Sequence, residues 1–264
     1  MIRKPVWWVV MAGLYGISAG VFAADDATSA PQVFAPGVIS GPANEACPAF
    51  TPDGNAVYFD VGTMILVSHR SHGVWSKPEI APFSGQWGDH DPAISPDGSY
   101  IVFVSNRPVE PGADALGASV HGKFYPQSGG NLWRVDRQGN GWGEPVHLPQ
   151  AVNASDRTYA PSIAADGSLY FIHPDDAGVF HIYRSSLVSG VYQSAVKVAV
   201  GDPSASTHDP AIASDQSFMV FNLADAKTSG MGDFYISFQE HGRWSVPVDL
   251  GEAINGTGKW SQWG

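Results

Sequence analysis

Asp89-His-Asp-Pro-Ala-Ile-Ser-Pro-Asp-Gly-Ser-Tyr-Ile-Val-Phe103 decides the fold, because the chain carries this pattern four times. Aligned on its first proline, it returns as Pro48-Ala-Phe-Thr-Pro-Asp53-Gly54 before Val57-Tyr58-Phe59. It returns again as Pro161-Ser-Ile-Ala-Ala-Asp166-Gly167 before Leu169-Tyr170-Phe171, and as Pro210-Ala-Ile-Ala-Ser-Asp215-Gln216 before Phe218-Met219-Val220-Phe221. Each copy sets a short strand ahead of an Asp-Gly turn and an almost wholly apolar strand behind it. Asp-Gly supplies the positive φ of a tight hairpin. An unbroken apolar run is the mark of a strand covered on both faces. The periodic place of Asp53, Gly54, Asp97, Gly98, Asp166, Gly167 and Asp215 assigns them to turns rather than to catalysis.

Working outward, each unit has room for two more strands. The third is expected at 64–69, 131–136, 181–185 and 233–238, and the fourth at 75–81, 142–148, 191–198 and 244–250. Three of the fourth strands open with a tryptophan and carry a proline three residues later: Trp75/Pro78, Trp142/Pro145 and Trp244/Pro247. Proline is tolerated on an edge strand, which an outermost strand would be. The spacing predicts an all-β β-propeller of four-stranded antiparallel blades. The propeller domain spans 32–264, with repeats near 45–82, 89–149, 157–199 and 207–251. The wide interval between the second and third repeats comes from an insertion, 108–130, rich in Gly, Pro and Ala. Residues 32–40 read as an extra N-terminal outer strand.

The Pro-x-x-x-x-Asp-Gly core followed by Ile101-Val-Phe-Val-Ser-Asn-Arg107 resembles the WD-repeat-like propeller repeat of the TolB type. The resemblance covers about 45–250. This chain departs from the pattern where Gln216 replaces the turn glycine, where the third unit is one residue short before Phe171, and where Ser-Asn-Arg occurs in the second unit alone. Propellers of this resemblance usually have more than four blades. Here Trp260-Ser-Gln-Trp-Gly264 repeats the words of Ser84-Gly-Gln-Trp-Gly88 just where a fifth unit would begin. A truncated or incompletely closed propeller, a four-unit ring with a spare strand, and an open arc that needs a partner all fit that ending.

Bulk properties narrow the function classes. The formal net charge of −11 repels phosphate backbones, so nucleic acid is not an expected partner. Residues 1–23 read as a secretory signal: Arg3 and Lys4, an apolar run over 6–22, and Val21-Phe22-Ala23 as the cleavage pattern. Residues 24–31 are small and polar, and are expected to be flexible. After cleavage no membrane span is expected, and the periplasm or the exterior is the expected location. With Cys47 as the one cysteine, no intramolecular disulfide is available, and a small buried thiol is its default role.

The candidate chemistry is sparse. His90-Asp91 and His208-Asp209 hold the same register, directly before the prolines of the second and fourth units. In a propeller that position and the insertion share one face. Two imidazoles and two carboxylates at a channel mouth could bind a divalent metal; the alternative is that they cap strand starts. The matching positions elsewhere, Ala46-Cys47 and Tyr159-Ala160, leave the ligand set half complete. Otherwise no cofactor is expected. Trp87 and Arg107 complete the candidate binding face, and Trp260 and Trp263 lie in a connecting segment suited to stacking. Gly16-Ile-Ser18-Ala-Gly20 matches a nucleophile elbow but falls inside the leader.

Two functions are weighed. The first is a non-catalytic envelope propeller that binds another envelope protein, a glycan or a peptide; the TolB resemblance implies protein–protein interaction by analogy of fold. The second is a propeller enzyme, or the accessory propeller of one, acting on polysaccharide or peptide at the channel mouth.

Overall fold

Asp-Gly turns close the hairpin in three repeats, and Asp215-Gln216 closes it in the fourth. In the computed structural model, which describes residues 32–224 and 232–255, the inner strands are Glu45–Phe50, Asp89–Ile94, Tyr159–Ile163 and Ser206–Ile212. They pair antiparallel with the apolar second strands Ala56–Val61, Tyr100–Ser105, Leu169–Pro174 and Phe218–Ala224. In each turn an aspartate carboxylate accepts the N–H two residues on: Asn55, Ser99, Ser168 and Ser217 donate to Asp53, Asp97, Asp166 and Asp215. Gly54, Gly98 and Gly167 take φ between +68° and +79°, and Gln216 takes +61°. Gln216 is used where glycine would serve because its amide works. Its Oε1 accepts from Tyr170 Oη at 2.9 Å and from Arg184 Nε at 3.1 Å, and its Nε2 donates to Asp166 at 3.0 Å.

The third strands are Met64–Ser71, Asn131–Gln138, Phe180–Ser185 and Asp233–Glu240. With short outer pieces they make four antiparallel blades around a common axis. The fourth strands do not run unbroken as expected. Each splits into two-residue pieces, such as Val74–Trp75 and Glu79–Ile80, with Pro78, Pro145 and Pro247 in the gaps of blades 1, 2 and 4. Blade 3 breaks without a proline, between Val191–Tyr192 and Val196–Lys197. A buried serine of the third strand pins the gap in three blades: Ser68, Ser185 and Ser237 donate to the carbonyls of Ser76, Gln193 and Ser245.

Side chains alternate across each second strand, and the two faces feed different cores. Tyr58 of blade 1 meets Ile101 and Phe103 of blade 2, with Phe83, Trp133 and Trp142. The other face of blade 2, Tyr100, Val102 and Val104, meets Leu169 and Phe171 of blade 3. The remaining face of blade 3, Tyr170 and Ile172, meets Met219 and Phe221 of blade 4. That makes three seams for four blades. The outward face of blade 1, Val57 and Phe59, is closed by Ile39 and Ala35 instead. Among the described residues no core joins blade 4 to blade 1.

Residues 32–40 therefore cover a blade, yet they do so without the expected outer strand. Ala35 and Gly37 take φ of +41° and +77°, and the segment turns back so that Pro36 and Ser40 bridge each other. Phe34 caps the patch, edge-on to Phe50 and Trp75 at 5.3 and 5.5 Å. The leader, 24–31, Trp260 and Trp263 lie outside the described residues. No helix among the described residues is long and apolar enough to cross a membrane.

Candidate functional site: the axial mouth

Every inner strand breaks register at the same place. The shifts fall between Ala46 and Ala49, His90 and Ala93, Tyr159 and Ser162, and His208 and Ala211. Each proline lacks the N–H that the ladder needs, and it disfavours the right-handed helical region for the residue before it. Cys47, Asp91, Ala160 and Asp209 adopt the left-handed conformation instead, with φ of +51°, +48°, +49° and +53°. Such a backbone costs about 1–2 kcal/mol at a residue other than glycine, so its fourfold recurrence marks a conformation imposed by the fold. The bulges bring these four residues onto one axial cavity of about 340 Å³. A neighbouring cavity is lined by Cys47, Asp60, Asp91, His208 and Asp209.

Asp91 ties three blades together. Its Oδ1 accepts from Cys47 Sγ at 3.2 Å, and its Oδ2 accepts from the Ala160 N–H at 3.0 Å. Asp60, next to last in the blade 1 second strand, stands opposite Ala46 in register and joins this group. Burial, then the charge of Asp91, pushes the Asp60 carboxyl up. Burial and Asp91 also raise the Cys47 thiol. Asp209 is pushed up to about 8, again by burial first and Asp91 second. The Oδ1 atoms of Asp60 and Asp209 are buried with no hydrogen-bond partner. No lysine or arginine lines either cavity.

Of the quartet read from the sequence, Asp91, His208 and Asp209 share the second cavity, whereas His90 lines neither. His208 Nε2 lies 2.8 Å from Ser206 Oγ, and its ring tilts against Phe180 at 5.4 Å. Burial holds its imidazole below the usual range. Arg107 is engaged inside the fold. It pairs with Asp89 at 2.9 Å, donates to the Phe83 carbonyl and to Ser105, and lies over Phe103 and Trp133. Trp87 is half-buried in the link between blades 1 and 2.

Sequence reading missed Asp60 and underrated Cys47. The legible signal was an aspartate inside the apolar run Ala56–Val61, where the other blades place Val104, Ile172 and Asn222.

The insertion forms a hairpin, Ala118–Val120 with Lys123–Tyr125. It leaves from Ser105, which pairs with Asp89, so it stands at the same end of the propeller as the bulges. Asn106 anchors its base by donating to Gln127, Asp156 accepts the Ser119 N–H, and the His121 ring approaches Gly178 of blade 3. Phe124 and Tyr125 are left exposed, Phe124 by 63%.

No protein-family model matches the sequence, and no curated protein matches it. Solved structures do. TolB from Acinetobacter baumannii aligns at 16% identity and TM-score 0.50, over 79% of this chain and 44% of that one. A protein described as TolB from Agrobacterium tumefaciens aligns at 18% identity and TM-score 0.45, over 85% and 88%. A gluconolactonase from Xanthomonas campestris aligns at 13% and 0.47, over 78% and 62%. This chain spans less than half the length of the Acinetobacter protein. The shared property is the fold, a TolB-type propeller.

Proposed function

We propose that the chain is a non-catalytic binding propeller of the bacterial envelope, exported by its N-terminal leader, that engages another envelope protein, a glycan or a peptide at the mouth face. One observation carries this reading: the longest second-to-third-strand connection, 106–130, is built as an anchored hairpin that holds Phe124 and Tyr125 out to solvent at the end of the propeller where the inner strands start. Exposed aromatics on an anchored hairpin, at the same end of the propeller as an acidic cavity, suit recognition at low ordering cost. The interaction role implied by the TolB resemblance agrees with it, as an analogy of fold.

The test is site-specific photo-crosslinking in living cells. A probe replacing Phe124 should yield a discrete adduct, and one replacing His72, in a turn at the opposite end, should yield none. Equal patterns from both sites, or no adduct from Phe124, would refute the reading. Fractionation in the same cells checks the location.

A second reading has one observation in its favour. Asp209, held largely protonated at neutral pH, sits near Asp91, whose charge is part of what raises it. A protonated carboxyl near a second carboxyl group is the equipment of general acid–base glycan cleavage. Release of reducing ends from envelope polysaccharide by the wild type, lost in Asp209→Asn, would establish it.

A further inference from the structure

Three carboxylates and a thiol converge at the mouth with no lysine or arginine beside them. Folded chains seldom leave a buried carboxylate oxygen bare, because nothing then replaces the water it lost. Here Asp60 Oδ1 is bare, and Asp60 is only 8% exposed. One donor atom each from Cys47, Asp60 and Asp91 lie within 4.8 Å of one another. Ligands at about 2.0–2.3 Å from a tetrahedral ion are separated by about 3.3–3.8 Å, so movements of up to about 1 Å bring these atoms into one coordination shell.

We propose that Cys47, Asp60 and Asp91 form a site for a divalent transition-metal ion of the zinc class. The donor set chooses the class. A sulfur ligand disfavours calcium and magnesium, which take oxygen shells, whereas zinc accepts sulfur and carboxylate together. On binding, the Cys47 Sγ–H bond breaks, its proton leaves to solvent, and the thiolate pair coordinates the ion. The Ala160 N–H holds the second oxygen of Asp91, orienting the carboxylate as an outer-shell donor does. Three protein ligands leave a place on a tetrahedral ion for water or for a donor atom of an incoming ligand. The site does not depend on the recognition role of the mouth: a structural ion stitching blade 1 to blade 2 would bind whether or not anything docks.

The full chain, stripped with chelator, is dialysed against zinc, calcium or cobalt(II). Bound metal and melting temperature are measured for wild type, Asp60→Asn and Cys47→Ser. One zinc per chain, a raised melting temperature, a sulfur-to-cobalt charge-transfer band, and at least about tenfold weaker zinc binding in each variant are expected. Zinc binding unchanged in both variants overturns the proposal, as does stabilisation by calcium with no response to zinc. Should Asp60→Asn fail to fold, the wild-type cobalt spectrum decides: absence of the thiolate band refutes the site.

Discussion

Asp209 gives the sharpest stability prediction. Its carboxyl is pushed from 3.8 to about 8 by burial and by Asp91. In the folded chain it therefore keeps a proton that the unfolded chain releases above about pH 4. The sign follows from proton linkage: the folded state binds the extra proton, so stability falls as pH rises from about 4 to about 8 and is level beyond. A shift from 3.8 to about 8 is a factor of about 10⁴ in proton affinity, or about 5–6 kcal/mol at alkaline pH, and about 3 kcal/mol of that is already incurred at pH 6. Asp209→Asn removes the titration and keeps the shape. Urea unfolding of both proteins from pH 4.5 to 9, with chelator present so that no cation offsets the charge, should give curves that diverge as pH rises. The variant should be the more stable by several kcal/mol at pH 8. Parallel curves would refute the burial argument.

Three further outcomes follow from packing. Phe221→Ala empties a seam position and should cost about 3–5 kcal/mol, whereas Phe218→Ala, one face over on the same strand, should cost under about 1; equal losses in urea unfolding would show that the outward face of blade 4 is covered. Asp89→Asn leaves the Arg107 guanidinium buried without its counter-charge and should destabilise by about 3–5 kcal/mol, with Arg107→Met less costly when added to it than alone. At position 216, glycine keeps the turn and loses the bridging amide, at about 1–2 kcal/mol; alanine adds about 1 kcal/mol more for its left-handed backbone, a difference that thermal melts of the two variants would show.

The repeat made the hairpins legible, because Asp-Gly turns and apolar runs are local statements about φ and burial. Which seam each side chain joins was also implicit, since alternation along Tyr100 to Val104 splits odd from even residues. The bulge was less visible. A proline spoils one hydrogen bond, but that its predecessor turns left-handed toward the axis depends on the neighbouring strand's register. Counting from the proline finds both Asp91 and Cys47, but not that they meet across two blades, and it cannot find Asp60, which comes from the second strand. The outer strands were overdrawn for a related reason: the gap in blade 3 has no proline and is held by Ser185, whose role appears only once its hydroxyl meets the Gln193 carbonyl.

Three seams for four blades have a consequence for how the chain comes apart. A closed propeller must lose two interfaces to release any blade, so its parts unfold together. Among the described residues blade 4 shares one core, with blade 3, and the outer face of blade 1 is closed by residues 35–39. The described residues thus behave as a linear array with nearest-neighbour coupling, in which the terminal member opens first. Amide exchange would register this as a gradient, with protection greatest in Ile101–Val104 and Leu169–Ile172 and least in Phe218–Ala224. A mouth assembled from all four inner strands would then lose Asp209 and His208 before it loses Asp91, so its loosest side is the one that carries the proton.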